Sequence, residues 1–163
     1  MRTDSDDKGT LKDDLVWRWH DNLIYAIRFD IGDPERQEWR SDLVLDIDFI
    51  ADWLCEPSGM FRFSVAPATL TFHDVGDLQL AIDHGDSDGR TAMSELSIDR
   101  VTRERLDRPF DFWRWTINLN SPPGGKIVFC ASGHSQVLRA EPKIVAEQHL
   151  PRGERSCAPL ASK

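Results

Sequence analysis

The stretch that decides the fold is Leu43-Val44-Leu45-Asp46-Ile47-Asp48-Phe49-Ile50. Apolar side chains take every second position from Leu43 to Phe49. Successive side chains of a β-strand point to opposite faces, so this period of two predicts a strand with one face in a core. The other face carries Val44, Asp46 and Asp48, and we expect it to be polar.

Short segments of the same kind recur along the chain, with turn-forming residues between them. They lie at residues 15–19, 23–29, 61–65, 69–73, 78–82, 95–99, 113–119, 126–131 and 136–139. In residues 23–29 the alternation places Leu23, Tyr25, Ile27 and Phe29 on one face. Helical periodicity is weak and is best matched at residues 50–55 and 102–106. Roughly eight to ten short strands without intervening helices are typical of an all-β fold. We predict a single-domain antiparallel β-sandwich or partly open β-barrel with at most one or two short helices.

The two ends of the chain differ in composition from its middle. Residues 1–13 are acidic and contain too few apolar side chains to pack, so they are predicted to be disordered. Residues 152–163 are similar and are predicted to form a flexible tail. The single β domain should therefore occupy residues 14–151.

Charge and cysteine content restrict the classes of partner and compartment. A net charge of −8 argues against nucleic acid, because phosphate binding needs a concentrated positive field. No apolar run reaches the roughly 18–20 residues that span a bilayer, and no secretory signal begins the sequence, so no membrane association is expected. The three cysteines, Cys55, Cys130 and Cys157, form no CxxC pair. Free thiols of this kind are typical of a reducing cytoplasm.

Three residues are candidates for acid–base chemistry. Asp46 and Asp48 are two positions apart and project from the same sheet face, as paired catalytic or metal-binding carboxylates do. His73 lies on the polar face of the strand at residues 69–73. Sequence neighbours such as His73 and Asp74 point to opposite faces of a strand, so adjacency alone makes no catalytic pair. Ser135 follows His134 but lacks the GxSxG context of a nucleophilic serine.

Arg28, Arg62 and Arg114 lie at polar positions of three strands and are candidates for ligand binding. In a closed barrel they would line the interior and bind an anionic or polar ligand. In a sandwich they would form cross-strand ion pairs on a solvated outer face, which is the preferred interpretation.

The loop around residues 84–95 has the spacing of a calcium-binding loop. With His84 at position one, Asp86 and Asp88 fall at positions three and five, and Glu95 falls at position twelve. Histidine is a poor calcium ligand, and the flanking segments are predicted strands rather than helices. An acidic hairpin loop is therefore the preferred interpretation, Ca²⁺ is the one cofactor considered, and otherwise none is expected.

The chain resembles a group of small bacterial β-rich proteins to which no activity is assigned. The resemblance covers residues 19–142 and rests on the following residues: Trp19-His20-Asp21-Asn22, 42–49 (DLVLDIDF), 65–74 (VAPATLTFHD), 127–131 (IVFCA), Gly133, Gln136, Arg139 and Pro142. It implies a β-rich fold and assigns no ligand or catalytic residue.

The sequence as a whole favours a cytoplasmic, non-enzymatic binding or protein-interaction module. One form is an antidote-type protein that caps a basic target with an acidic surface and exposed aromatic residues such as Trp39. The alternatives are a hydrolase or metal-assisted enzyme that uses Asp46, Asp48 and His73, and a small-ligand binder. Edge strands of such a fold can also pair between chains, so a homodimer is compatible with the sequence.

Overall fold

The structure is a computed structural model that describes residues 13–85 and 95–155. These residues contain a short helix, α1 (Asp13–Val16), and two 3-10 turns at Pro34–Arg36 and Arg152–Glu154. The rest of the regular structure is strand: β1 (Leu23–Ile31), β2 (Ser41–Cys55), β3 (Phe61–His73), β4 (Gly76–Ala81), β5 (Leu96–Arg105), β6 (Trp113–Ser121), β7 (Lys126–Ala131), β8 (Gly133–Leu138) and β9 (Lys143–Val145). The predicted all-β class is confirmed.

All the strands belong to one antiparallel sheet that curls but does not close. Their order is β4-β7-β6-β5-β1-β2-β3-β8, and the short β9 pairs with β3. The curl brings Phe72 of β3 against Phe129 of β7 and Trp115 of β6, with ring centroids 4.7 and 5.1 Å apart. β4 and β8, at the two ends of this order, do not pair with each other in the described residues, which matches the predicted partly open barrel.

The main core fills the inner face of the curled sheet. Leu43, Leu45 and Ile47 of β2 are fully buried in it, as the alternation at residues 43–50 predicts. Edge-to-face aromatic contacts around Phe72 add to the burial of apolar surface. The core therefore joins strands from both halves of the sheet.

The predicted strand at residues 15–19 is wrong, because α1 ends at Val16 and a turn follows it. Trp19 is nevertheless fully buried, and its Nε1 donates to Gln136 Oε1 at 2.7 Å. The two best helix candidates, residues 50–55 and 102–106, are likewise wrong: the first is in β2, and β5 covers all but the end of the second.

A β-bulge in β1 changes which of its side chains face the core. The register with β2 shifts between Ile24 and Ala26. Ile24 packs in the core, whereas the ring of Tyr25 lies under the guanidinium groups of Arg139 and Arg155. The predicted shared face for Leu23, Tyr25, Ile27 and Phe29 is therefore wrong, because an extra residue reverses the alternation.

The outer face of β2 and β3 is buried as well. Leu150 packs there against Ile50, Phe63 and Val65 in a second, smaller core. Asp46 and Asp48 of the same face are 5% and 0% exposed. The preferred interpretation of the outer face as solvated is therefore wrong at Asp46 and Asp48, since the chain that follows β8 crosses over them. Among the described residues there is no helix long and apolar enough to cross a membrane.

Truncation of Phe72 tests this packing. Phe72→Ala removes a fully buried ring from the contact between the two halves of the sheet. We expect the free energy of unfolding, measured by urea denaturation, to fall by about 3–5 kcal/mol. The control is Phe110→Ala, because Phe110 is 58% exposed and its loss should change stability by at most about 1 kcal/mol. Equal effects of the two substitutions would contradict the proposed core.

Candidate functional site

The negative charge of Asp46 is compensated by neighbouring side chains on the outer face. Asp46 pairs with Arg28 of β1 and accepts a hydrogen bond from Thr69 Oγ1 at 2.9 Å. Arg139 Nη1 lies 3.9 Å from its carboxylate, and the Asp46 side chain is only 6% exposed. Because both oxygens are occupied and solvent is nearly excluded, Asp46 acts as a structural anion that connects β1, β3 and the segment after β8.

Asp48 is the most enclosed charged group. It is fully buried, and Arg155 Nη2 donates to its Oδ2 at 2.6 Å. The backbone N–H of Leu150 donates to the same oxygen at 3.3 Å. Arg155 Nη1 also donates to Glu95 Oε1 at 2.7 Å, and its guanidinium lies 4.4 Å from the ring centroid of Tyr25. Asp48, Glu95 and Arg155 therefore form one ionic cluster, which fixes the chain around residue 155 to the sheet.

Burial and pairing move the pKa values of this cluster in opposite directions. Burial raises the pKa of Asp48, although Arg155 and the Leu150 N–H partly oppose it. The hydrogen bond from Arg155 lowers the pKa of the more exposed Glu95. Burial alone would lower the pKa of Arg155, but its bonds to Glu95 and Asp48 raise it above its usual value. Since these groups bind one another and solvent hardly reaches Asp48, the arrangement is suited to holding structure together.

His73 makes different contacts from those of the two buried carboxylates. Its Nδ1 lies 3.3 Å from Asp42 Oδ2, and its Nε2 lies 2.9 Å from Ser135 Oγ. The side chain of His73 is 39% exposed, and that of Asp42 is 11% exposed. Asp42 and Asp46 are four residues apart on an extended strand, which separates them by about 13 Å. The structure therefore groups His73 with Asp42 and Ser135 rather than with Asp46 and Asp48.

Ser135 turns away from its sequence neighbour His134. His134 packs edge-on against Trp19 and Trp115 on the inner side, at 5.3 and 5.4 Å between ring centroids. Burial lowers the pKa of His134, and nearby positive charges add to this effect. Because adjacent residues of a strand point to opposite faces, the imidazole beside the Ser135 hydroxyl belongs to His73 of the neighbouring strand and not to His134.

The three candidate arginines do not converge. Arg28 pairs with Asp46, and Arg62 Nε donates to Glu56 Oε1 at 2.9 Å near the β2–β3 turn. Arg114 lies on β6, where it borders a shallow cavity of about 320 Å³ together with Asp77. The inner face of the sheet is filled by the apolar core rather than by these arginines.

The calcium-loop hypothesis falls mostly outside the described residues, because Asp86 and Asp88 lie between the two described ranges. Glu95 is described, and its carboxylate pairs with Arg155 and lies 3.5 Å from Arg152 Nε. Within residues 13–85 and 95–155, no group of three or more histidine, cysteine or acidic residues is arranged to hold a metal ion.

An apolar groove lies at one end of the sheet. It encloses about 360 Å³ and is lined by Ile31, Gly32, Pro34, Glu38, Trp39, Arg40, Ser41, Asp74 and Val75. Trp39 and Ile31 are 77% and 70% exposed, and Phe29 nearby is 55% exposed. β1 pairs with β5 only at Leu23 and Ile24. Beyond the bulge, the described partner of β1 is β2.

Most of the partners in these sites leave no signal in the local sequence. Arg139 ends the last strand predicted from alternation and Arg155 follows it, and no local pattern links either arginine to Asp46 or Asp48. Asp42 and Ser135 join His73 only through the strand register, which pairs Leu43 with Phe72 and Thr71 with Ser135. The one usable signal was a pair of aspartates on a strand whose neighbours are all apolar, because a buried carboxylate needs a cation.

Removal of Arg155 tests the ionic cluster. Arg155→Met leaves the fully buried Asp48 without its cation, so we expect the free energy of unfolding to fall by about 3–5 kcal/mol. Arg152→Met is the matched control, because the Arg152 side chain is 86% exposed and its surface ion pair contributes about 1 kcal/mol or less. The double variant Asp48→Asn with Arg155→Met should recover part of the loss in urea denaturation. If the two single arginine variants were equally stable, the cluster would not have the role assigned to it.

The same variant has a predictable pH dependence. Without Arg155 the pKa of Asp48 should rise further, and the folded state then loses stability as pH increases through that pKa. Glu95 loses the partner that lowers its pKa, and with it a stabilisation that is present only above its usual pKa. Both effects widen the stability gap between the native protein and Arg155→Met from about pH 4 to about pH 7. Urea midpoints measured across this range check the sign, and a gap that narrows would contradict it.

No protein-family model, no curated protein and no solved structure matches this chain.

Proposed function

We propose that this chain is a protein-interaction module that binds an extended, basic and apolar segment of a partner. The segment runs along the flank of β1 that faces away from β2 and places an apolar side chain in the groove beside Trp39. The observation that carries the proposal is the group of exposed apolar side chains, Phe29, Ile31 and Trp39, at and beside one groove at the end of β1.

Backbone hydrogen bonds would form along the flank of β1 that faces away from β2. From Ala26 to Ile31, β1 pairs with β2 on one side only within the described residues. A strand with one unpaired side presents N–H and C=O groups to which an extended peptide can add as a further strand. Such backbone pairing supplies affinity, while side-chain pockets supply specificity.

The apolar side chains supply the pocket. Phe29 and Ile31 lie on the inward face of β1. The core does not reach this end of the strand, so both side chains are exposed. Trp39 lines the same groove as Ile31 and is more exposed than either of them. Exposed apolar patches with a concave centre are characteristic of interaction sites, and tryptophan is enriched among the residues that dominate binding energy.

Charge selects the class of partner. The whole chain has a net charge of −8, and the groove is lined by Glu38 and Asp74 together with Arg40, which is itself paired with Asp30. A basic segment would be attracted to this surface during association, and an acidic one would be repelled. An antidote-type protein that caps a basic target belongs to this class of function.

The test uses a peptide of alternating valine and lysine, with a valine–glutamate peptide of equal length for comparison. We expect the basic peptide to bind in isothermal titration calorimetry and to shift the backbone amide signals of residues 26–31 in NMR spectra. The double variant Phe29→Ser with Ile31→Ser should weaken binding at least about tenfold, which corresponds to about 1.4 kcal/mol.

The matched control is Phe110→Ser with Ile144→Ser, which removes the same two side-chain types where they are 58% and 64% exposed. This control should bind like the native protein. Equal weakening by the two double variants, or equal affinity for the acidic peptide, would overturn the proposal. A concentration-dependent dimer in sedimentation that the Phe29 and Ile31 variant abolishes would instead assign the flank to a second copy of this chain.

A further inference from the structure

The hydrogen-bonded chain from Asp42 through His73 to Ser135 has the order of groups found in nucleophilic sites. The three residues come from β2, β3 and β8, so adjacent strands of the rigid sheet set their spacing. The carboxylate faces one ring nitrogen of the histidine, and the serine hydroxyl faces the other. We propose that Asp42, His73 and Ser135 form a nucleophilic site at which Ser135 Oγ accepts an acyl group from a small ester.

The chemistry of the three groups fixes where the protons lie. An ionised carboxylate can only accept hydrogen bonds, so Asp42 holds His73 in the tautomer with hydrogen on Nδ1. Nε2 then presents a lone pair, and it accepts the hydroxyl proton of Ser135 at 2.9 Å between Nε2 and Oγ. This is the tautomer that a general base requires, and the nucleophile is within hydrogen-bond reach of it.

Neighbouring groups hold Asp42 and His73 in position. The backbone N–H of Asp74 donates to Asp42 Oδ1 at 3.3 Å, which leaves Oδ2 for the imidazole. Ser132 donates its backbone N–H to the carbonyl oxygen of His73 at 2.9 Å and its hydroxyl to Asp74 Oδ2 at 2.5 Å. Asp74 has a φ of 55°, in the left-handed region that few residues other than glycine adopt. The contacts with Ser132 and Asp42 hold the backbone in this conformation. The base is thus anchored at the end of β3.

The edge position of β8 provides a donor for the oxyanion. β8 is the end strand of the sheet formed by residues 13–85 and 95–155, so every second N–H along it points away from β3. One of the N–H groups at Ser135 and its neighbour Gln136 therefore points away from β3, beside the nucleophile. A hydrogen-bond donor at that place stabilises the negative oxygen that develops when Oγ attacks a carbonyl carbon.

The reaction balances with the ester and water alone. As Ser135 Oγ bonds to the carbonyl carbon, its proton moves to His73 Nε2, and the same proton passes to the departing alkoxide as the ester C–O bond breaks. A water molecule then attacks the acyl-serine, gives one proton to Nε2, and releases the carboxylic acid when Ser135 recovers that proton. The net change is ester plus water to acid plus alcohol.

The nucleophilic groups lie on the other face of the sheet from the groove side chains of the proposed function. The register that pairs Leu43 with Phe72 sets Asp42 and His73 on the outer face, whereas Ile31 and Ser41 of the groove have the inward parity. Asp74 borders both sites, since it lines the groove and its backbone N–H donates to Asp42. The nucleophilic site goes beyond the binding function, because its chemistry uses neither Phe29 nor Ile31, the side chains that the peptide test changes.

The test is treatment of the full chain with p-nitrophenyl acetate, followed by peptide mass mapping of the acetylated residue. We expect acetylation of Ser135, with a rate that falls at least about 100-fold in His73→Gln. Asp42→Asn should also slow it, because an amide can donate to Nδ1 and move the hydrogen to Nε2. Ser58→Ala is the matched control: Ser58 is an exposed serine in the β2–β3 turn, and its loss should leave the rate unchanged.

A thiol variant makes the result independent of ester reactivity. In Ser135→Cys, the introduced thiol should react with iodoacetamide faster than the exposed Cys55 of the same molecule, and this advantage should disappear when His73→Gln is added. Near-UV circular dichroism establishes that each variant keeps the native fold. Acetylation of Ser135 at the rate of Ser58, or a rate that does not respond to His73→Gln, would overturn the proposal.

Discussion

A carboxylate in the middle of a sheet needs a cation, and the outer half of this structure is arranged around that need. Asp48 is fully buried, and its partner Arg155 lies 107 residues further along the chain. By binding Asp48 and Glu95 together, Arg155 holds the segment after β9 against β2. Leu150 is thereby placed over Ile50 and Val65 in the second core. Without this ionic contact, Asp48 would be a buried charge with no cation beside it. The segment that carries Leu150 would also lose the ion pair that holds it against the outer face of β2.

Alternation along the chain predicted the strands and the inner face of β2, because burial on one side of a strand leaves a period of two in the sequence. It could not predict what covers the other face, since the pattern is the same whether Asp48 meets water or Arg155. It failed at Tyr25, where a bulge adds one residue and reverses the faces of β1. His73 was predicted as a site residue, but its partners Asp42 and Ser135 depend on the register of three strands, which no local pattern records.

The two surfaces with functional character divide between the two faces of the sheet. The Trp39 groove continues the apolar inner face past the end of the core, and its chemistry is that of binding. The hydrogen-bonded side chains of Asp42, His73 and Ser135 lie on the outer face, outside the area that the segment after β8 covers. Their chemistry is that of proton transfer. Asp46 and Asp48 lie further along the outer face of β2 and are buried in ion pairs, so these two aspartates serve the fold.

The separation of Asp48 and Arg155 along the chain also orders events during protein synthesis. A ribosome makes residue 155 only after all nine strands, and at about 5–20 residues per second the nascent chain has time to pair its early strands first. β2 and β3 can form their hairpin while Asp48 still faces water on the uncovered side. Asp48 can exchange this water for its cation only once residue 155 has been made. The cover of the outer face of β2 is therefore completed by the part of the described chain that is synthesised last.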